Sequence, residues 1–320
     1  MKTAVIGIGV IGNVHLGILL DMGITPVAIC DVDESATAKY PQFKAYTDYM
    51  EMLDAEKPDV VHICTPHYLH AEMAIYALER DINVLCEKPL CVNREEIDAI
   101  LKAEENSKAQ LAVCFQNRYT PRNICVREYL KNKTVTSGFA TVFWQRGADY
   151  YNSAEWRGTK KYEGGGVLIN QAIHTIDLLN EFCGGFEELA ATCSNLSLQD
   201  VIEVEDTASI CLYNKTAKGT LVATNASAIG QPIEIMLMTS DGDRIEIYGD
   251  DLKINKQKQE FDSAFYGKAC YGMGHAPLIA DFYDCIATGR KFPIDGKEGQ
   301  KALRIVLSAY ESEGKRIKIK

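Results

Sequence analysis

Thr3-Ala4-Val5-Ile6-Gly7-Ile8-Gly9-Val10-Ile11-Gly12 decides the fold. A short β-branched run passes directly into three glycines at GxGxxG spacing, and an apolar stretch of helical character, Val14 to Gly23, follows. Strand, glycine turn and helix in that order open a βαβ unit. The first glycine makes a tight turn, the second admits a pyrophosphate to the backbone, and the third lets helix and strand pack closely. The phosphates sit at the helix N-terminus, where open N–H groups and the helix dipole favour an anion. Gly7, Gly9, Val10, Ile11 and Gly12 are therefore expected to bind a dinucleotide. A second apolar run, Pro26 to Cys30, ends in Asp31, about 20 residues after Gly12, where a carboxylate binds the adenosine ribose hydroxyls. Asp31 would repel a 2′-phosphate, and Val32-Asp33-Glu34 offers no arginine to hold one, so the expected cofactor is NAD rather than NADP.

Outward from this motif the first ~120 residues alternate β-branched runs with helix-like stretches, the pattern of parallel strands joined by helical crossovers. The runs DVVHICT, NVLCE and QLAVCF are apolar throughout, as in strands covered on both faces. After Asn117 the pattern changes to two-residue alternation, in FATVFWQR, TASICLYN, GTLVATNASA, IEIMLMTS and DRIEIYG. Asn214-Lys215 and Asp241-Gly242 supply turn signals between such segments. The expected architecture is an α/β Rossmann domain with a parallel sheet over residues 1–118, then an α+β domain with a large, mostly antiparallel open sheet over residues 119–320. The tail from Pro277 returns to helix, with Gly289 and Gly314 as stop signals, and these last helices can pack back on the first domain.

Composition narrows the function classes. At 320 residues, with 47% hydrophobic and 24% charged residues, the chain suits two ordinary globular domains. A net charge of -10 and a pI near 5.2 exclude the basic face that nucleic acid requires. The glycines punctuate the apolar N-terminus, so it reads as strand and turn rather than signal peptide, and no stretch approaches the ~20 apolar residues of a membrane span. Eleven cysteines are scattered without a CxxC pair, and Cys30, Cys64, Cys86 and Cys114 lie in or after strand-like runs. This is the pattern of core thiols in a reducing compartment, so a cytoplasmic protein with no metal site is expected.

Two further regions carry chemistry. Glu87-Lys88-Pro89 follows the strand NVLC, at the carboxyl edge of the parallel sheet, where open α/β folds place ligands. Trp156-Arg157-Gly158-Thr159 precedes a glycine loop, Gly164 to Gly166, that opens an amphipathic helix. In that helix Asn170, His174 and Asp177 fall at i, i+4 and i+7 and would share one face. Polar groups on a helix otherwise rich in Ile and Leu are costly to bury without partners or a purpose.

Through GxGxxG, the TPHYLH segment from Thr65 to His70, Glu87-Lys88-Pro89 and GGGVLINQAIHTID, the chain resembles the glucose-fructose oxidoreductase and inositol dehydrogenase family over nearly its whole length. The resemblance implies a Rossmann domain, a second domain whose open sheet forms a homodimer or homotetramer, and reversible hydride transfer at a sugar, polyol or sugar-nucleotide carbon. By position it implies Lys88 and His174 as the catalytic pair, with Asn170 beside them where many members carry aspartate. Thr65, Pro66, His70, Glu87 and Lys88 fall on its cofactor side. Arg118 lies in a segment resembling a cofactor-proximal one, and a salt bridge is its alternative role. Trp156 and Arg157 are also placed near the cofactor, with Arg157 orienting the substrate or the amide end of the cofactor. Alcohol oxidation needs a base for the hydroxyl proton and a cation for the developing alkoxide. His174 suits the first and Lys88 the second, although a lysine of lowered pKa could exchange roles with it. Two alternatives remain open: an NAD-dependent glycosidase of the same family, and a non-enzymatic nucleotide sensor on the same fold.

Overall fold

The computed structural model describes residues 1–261 and 274–320. The chain divides into two compact units, Met1–Tyr119 with Ala264–Gln300, and Thr120–Ser263 with Lys301–Lys320.

In the first unit six strands form one parallel sheet: β1 (Thr3–Ile6), β2 (Ala28–Cys30), β3 (Lys44–Tyr46), β4 (Val60–Ile63), β5 (Asn83–Glu87) and β6 (Leu111–Cys114). Their order, β3-β2-β1-β4-β5-β6, is that of a doubly wound dinucleotide fold. Val5 of β1 is in register with Ile29 on one side and His62 on the other. Every residue of β1, β4 and β6 is buried, which explains their lack of polar alternation. The connecting helices are α1 (Val10–Asp21), α2 (Glu34–Thr37), α3 (Tyr49–Glu56), α4 (His70–Leu78) and α5 (Arg94–Asn106). Side chains start three of them: Asp33 accepts from Ser35 N–H, Asp48 from Met50 N–H, and Asn93 from Glu96 N–H. The short, exposed edge strand β3 carries no apolar run and is not foreseen in the sequence. The direction of winding reverses between β1 and β4, and the carboxyl ends of these two strands lead into Gly7 and Thr65.

The second unit contains α6 (Pro121–Leu130), β7 (Val135–Phe143), α7 (Ala148–Tyr151), a π-helical turn over Leu168–Ala172, and α8 (Ile173–Phe182). Its sheet adds β8 (Glu188–Ser194), β9 (Thr207–Tyr213), β10 (Lys218–Thr224), β11 (Glu234–Thr239), β12 (Arg244–Tyr248), β13 (Asp251–Ile254), β14 (Gln257–Gln259) and β15 (Ile317–Lys318). The nine strands run β14-β13-β12-β11-β7-β10-β9-β8-β15, antiparallel except for the parallel pair β7 and β10. Burial alternates as the sequence does: Gly219, Leu221 and Ala223 are buried while Lys218 and Thr220 are exposed. Helix α8 lies on the buried face, close enough that a Cβ on Gly138 of β7 would come within 2.7 Å of Leu179.

Two helices complete the described chain, α9 (His275–Thr288) and α10 (Gly296–Ser312). Helix α9 belongs to the first unit, where the Tyr283 hydroxyl lies 2.9 Å from Thr3 Oγ1 and Asp281 accepts from the Tyr119 hydroxyl at 2.6 Å. It stops at Gly289, whose left-handed φ of 70° closes the helix as the sequence suggests.

Candidate active site

The glycine turn of the first unit has three distinct environments. Gly7 has φ +86°, and a Cβ there would stand 2.6 Å from the carbonyl oxygen of Cys64. A Cβ on Gly12 would fall 1.8 Å from the carbonyl oxygen of Gly7, so any side chain would part α1 from the turn. A Cβ on Gly9 would meet nothing within 4 Å, which leaves open space in front of the backbone. Gly9 is also the N-cap of α1, with no side-chain cap for the first turn, and Val10 beside it is 57% exposed. Open N–H groups at a helix start beside empty space are what a pyrophosphate needs. Asp31, just past β2, is half-buried; its Oδ2 accepts from Ile8 N–H at 2.7 Å and its Oδ1 from Asp33 N–H at 2.9 Å. Both oxygens are thereby aimed and keep lone pairs for ribose hydroxyls.

Behind the strand ends lies a buried polar chain. The Tyr283 hydroxyl is 3.1 Å from His62 Nε2, His62 Nδ1 is 2.9 Å from His15 Nδ1, and His15 Nε2 is 3.0 Å from Glu87 Oε1. Burial lowers the pKa of His15 and drives that of His62 well down, so both rings are neutral. One assignment of hydrogens then satisfies the whole chain: Tyr283 O–H donates to His62, His62 N–H to His15, and His15 N–H to the carboxylate. Burial alone would raise the pKa of Glu87, but its contacts with His15 and His275 outweigh that and hold it well below the carboxylate range. His15, Glu87, Cys114 and His275 bring one possible metal-ligand atom each within 4.8 Å of one another. The absence of clustered ligands inferred from sequence spacing is thus corrected: four elements assemble what no local motif announces. The neutral relay accounts for the three-residue line from His62 to Glu87 without an ion.

Glu87 and His70, expected on the cofactor side, are both turned into the core. Glu87 Oε2 accepts from Lys88 N–H at 3.1 Å, and the His70 ring spans the carbonyl oxygens of Pro89 at 2.7 Å and Thr65 at 2.9 Å. Burial lowers the pKa of His70, opposed by those two carbonyls. The ring ties the TPH loop to the Glu87-Lys88-Pro89 loop. Thr65 and Pro66 remain half-buried at the end of β4. Lys88 is the one position between 84 and 92 that is not buried. Arg118 is buried and donates to Glu298 at 3.0 Å, the salt-bridge role.

In the second unit a similar exception marks the glycine-loop helix. From Gly165 to Asn180 every residue is buried except Asn170 and His174. The regular helical face inferred from i, i+4 and i+7 is interrupted, because Asn170 sits in the π-helical turn and His174 in the first turn of α8. Asp177 is buried, apart from the two accessible positions. Glu205 supports the start of this element: its carboxylate accepts from Gly166 N–H at 2.9 Å, Leu168 N–H at 3.0 Å and the Tyr310 hydroxyl at 3.0 Å. A Cβ on Gly166 would lie 1.8 Å from the Glu205 carbonyl oxygen, which requires glycine there. Asn170 Nδ2 donates to the buried carboxylate of Glu163 and, at 3.2 Å, to the Tyr150 hydroxyl. An acid at position 170 would instead set two carboxylates in contact, which explains the amide physically. Trp156 and Arg157 lie nearby, with the Arg157 guanidinium 4.6 Å from the Trp156 ring centre and donating to the Tyr150 hydroxyl. The sequence reading missed Glu163, Glu205, Tyr150 and the imidazoles of His15, His62 and His275. A glutamate immediately before Gly164 and a histidine inside the apolar helix VHLGILL were the available signals.

A family model described as an oxidoreductase family with an NAD-binding Rossmann fold matches residues 1–115, and the same family's C-terminal domain matches residues 134–255. The chain belongs to the GFO/IDH/MocA oxidoreductase family. Inositol 2-dehydrogenase of Salmonella typhimurium is 29% identical over 188 residues, 56% of this chain and 54% of that protein. The match thus spans about half the length of that relative. Myo-inositol 2-dehydrogenase of Thermotoga maritima is 23% identical over 334 residues, covering 98% of this chain and 96% of the relative. The structure of the WlbA dehydrogenase from Bordetella pertussis, in complex with NADH and UDP-GlcNAcA, superposes with a TM-score of 0.87 at 25% identity, covering 100% of this chain and 98% of that one. Among the described residues no helix is long and apolar enough to cross a membrane.

Proposed function

We propose that this family member is an NAD-dependent dehydrogenase or reductase that exchanges a hydride with a carbinol carbon of a sugar, polyol or sugar nucleotide. The observation that supports it most is a coincidence of burial. Lys88, Asn170 and His174 are the accessible positions of two otherwise buried runs, and the family resemblance draws its catalytic residues from those same runs. The glycine turn fits the cofactor's pyrophosphate, and the doubly held Asp31 carboxylate fits an unphosphorylated ribose. When bound, NAD supplies the hydride acceptor. The protein's part is to take the hydroxyl proton on the His174 imidazole, to offset alkoxide charge with the Lys88 ammonium, and to hold the Asn170 amide through Glu163 and Tyr150. Neutral substrates are named for the inositol dehydrogenases and an acidic sugar nucleotide for the WlbA complex.

The test is an initial-rate panel of polyols, sugars and sugar nucleotides with NAD and NADP at several pH values. Turnover with NAD in preference to NADP is expected. Preference for NADP, or tight NADH binding with no turnover of any carbinol, contradicts the reading. Release of free sugar from a glycoside with only catalytic NAD would assign the glycosidase chemistry instead.

The outer face of the second sheet leaves Ser209, Cys211 and Thr220 exposed on adjacent strands. We expect a symmetric dimer or tetramer that covers this face. Light scattering at micromolar concentration checks it, and a monomeric mass would refute it. Buried free thiols at Cys30, Cys64, Cys86 and Cys114 support a reducing, cytoplasmic location.

A further inference from the structure

The relay of His62, His15 and Glu87 leaves two neighbours of the carboxylate off its line, Cys114 and His275. Glu87 and Cys114 end the adjacent parallel strands β5 and β6 and are partners in register, so their side chains leave the sheet on the same face. His15 reaches that face from α1 and His275 from the first turn of α9. The start of α9 is closely seated: a Cβ on Gly274 would stand 1.8 Å from the carbonyl oxygen of Gln116, just past Cys114. His15 Nε2 at 3.0 Å and His275 Nε2 at 3.4 Å both face one carboxylate oxygen, Glu87 Oε1. One possible ligand atom from each of the four residues lies within 4.8 Å of the others, and all four residues are buried.

Imidazole nitrogen, carboxylate oxygen and thiolate sulfur are the ligand types of a closed tetrahedral zinc site, and thiolate with imidazole disfavours magnesium and calcium. With metal–ligand bonds of about 2.0–2.3 Å, the ligand atoms of a tetrahedron stand roughly 3.3–3.8 Å apart. The two contacts of Glu87 Oε1 lie close to that range, and the widest pair has to close by about 1 Å. Charge balances as well, because one carboxylate and one thiolate neutralise a divalent ion and no net charge enters the core. The relay can accommodate the ion by reversing. With a metal on His15 Nε2, that ring carries its proton on Nδ1 and donates to His62, His62 donates from Nε2 to Tyr283, and the Tyr283 hydroxyl turns to Thr3 Oγ1 at 2.9 Å. Each ring keeps one proton, and the proton released to solvent is that of the Cys114 thiol. Glu87 Oε2 still accepts from Lys88 N–H. We propose that His15, Glu87, Cys114 and His275 form a closed structural site for a divalent transition-metal ion of the zinc class, which anchors the Lys88 loop through its carboxylate ligand. The site stands independently of the oxidoreductase reading.

The test is the metal content of the full chain, expressed with added zinc and separately with added cobalt, after dialysis against a weak chelator. About one ion per chain should be retained. Cobalt reports its own ligands, and a tetrahedral visible spectrum with a thiolate-to-cobalt charge-transfer band is expected. In Cys114→Ser the band should vanish, and in His275→Ala retention should fall at least roughly 10-fold. His62→Phe, which reaches the ion only through His15, should weaken binding roughly 10- to 100-fold. Stoichiometry and spectrum of the intact protein decide the matter even if a core variant folds poorly. Less than about one-tenth of an ion per chain in both media, or a retained ion without the charge-transfer band, overturns the site. Unchanged retention in folded Cys114→Ser and His275→Ala proteins places the ion elsewhere and overturns it equally.

Discussion

Glu87 in the first unit and Glu205 in the second both lie almost out of solvent, 5% and 8% exposed. Burial acts on both in the same direction, against the charged form, yet they end on opposite sides of the ordinary carboxylate range. Glu87, in contact with the imidazoles of His15 and His275, is held well below it. Glu205 has two backbone N–H groups and one phenol for partners, and burial pushes it up to about 7. Contacts with two imidazoles outweigh desolvation in the first unit; two backbone amides and a phenol only moderate it in the second. The first unit therefore keeps a fixed anion beneath Lys88, whereas the second keeps a titratable group at the start of the helix that carries His174.

The largest effect should come from breaking the first arrangement. Glu87→Ala strands the donor N–H of His15 in the core and removes the acceptor of the Lys88 amide, a loss of roughly 1–3 kcal/mol for each buried donor left unsatisfied. Urea unfolding measures it, and a loss below about 1 kcal/mol would show that the relay contributes little. The second arrangement responds to pH. Because Glu205 titrates near 7 when folded and near 4.5 when unfolded, its neutral form is the one that folding favours. Stability from this group is full at low pH and falls as pH rises from about 4.5 through 7, by on the order of 3 kcal/mol. Glu205→Gln should remove that slope relative to the intact protein. Tyr310→Phe should have the smallest effect, about 1 kcal/mol, and carry the midpoint higher by taking away a hydrogen bond to the ionised form. Parallel stability curves for the intact protein and Glu205→Gln would contradict the assigned ionisation.

The difference between the two regions also explains what could be read from the chain. The strand, the glycine turn of Gly7, Gly9 and Gly12 and the helix after it were legible because their spacing is local to one strand-turn-helix. Lys88 was legible by its place at a strand end. The relay was not, since His15, His62, Glu87 and Tyr283 come from four elements and meet only in the folded sheet. In the second unit the glycine loop and His174 stood out, but periodicity alone cannot distinguish a π-helical turn from a continuous α-helix, so the turn that holds Asn170 was not foreseen. Glu205, in the acidic run before TASICLY, carries no local signal, and its partners Gly166, Leu168 and Tyr310 meet it only in the folded unit.

The most direct test of the account is a paired measurement on Lys88→Met: kcat with the best substrate of the panel, and the dissociation constant of NADH. If Lys88 stabilises charge that develops in the transition state, kcat should fall by a factor of roughly 100–1000 while NADH affinity stays within about twofold. Full turnover in Lys88→Met, or a loss of turnover matched by an equal loss of NADH affinity, would contradict the catalytic assignment.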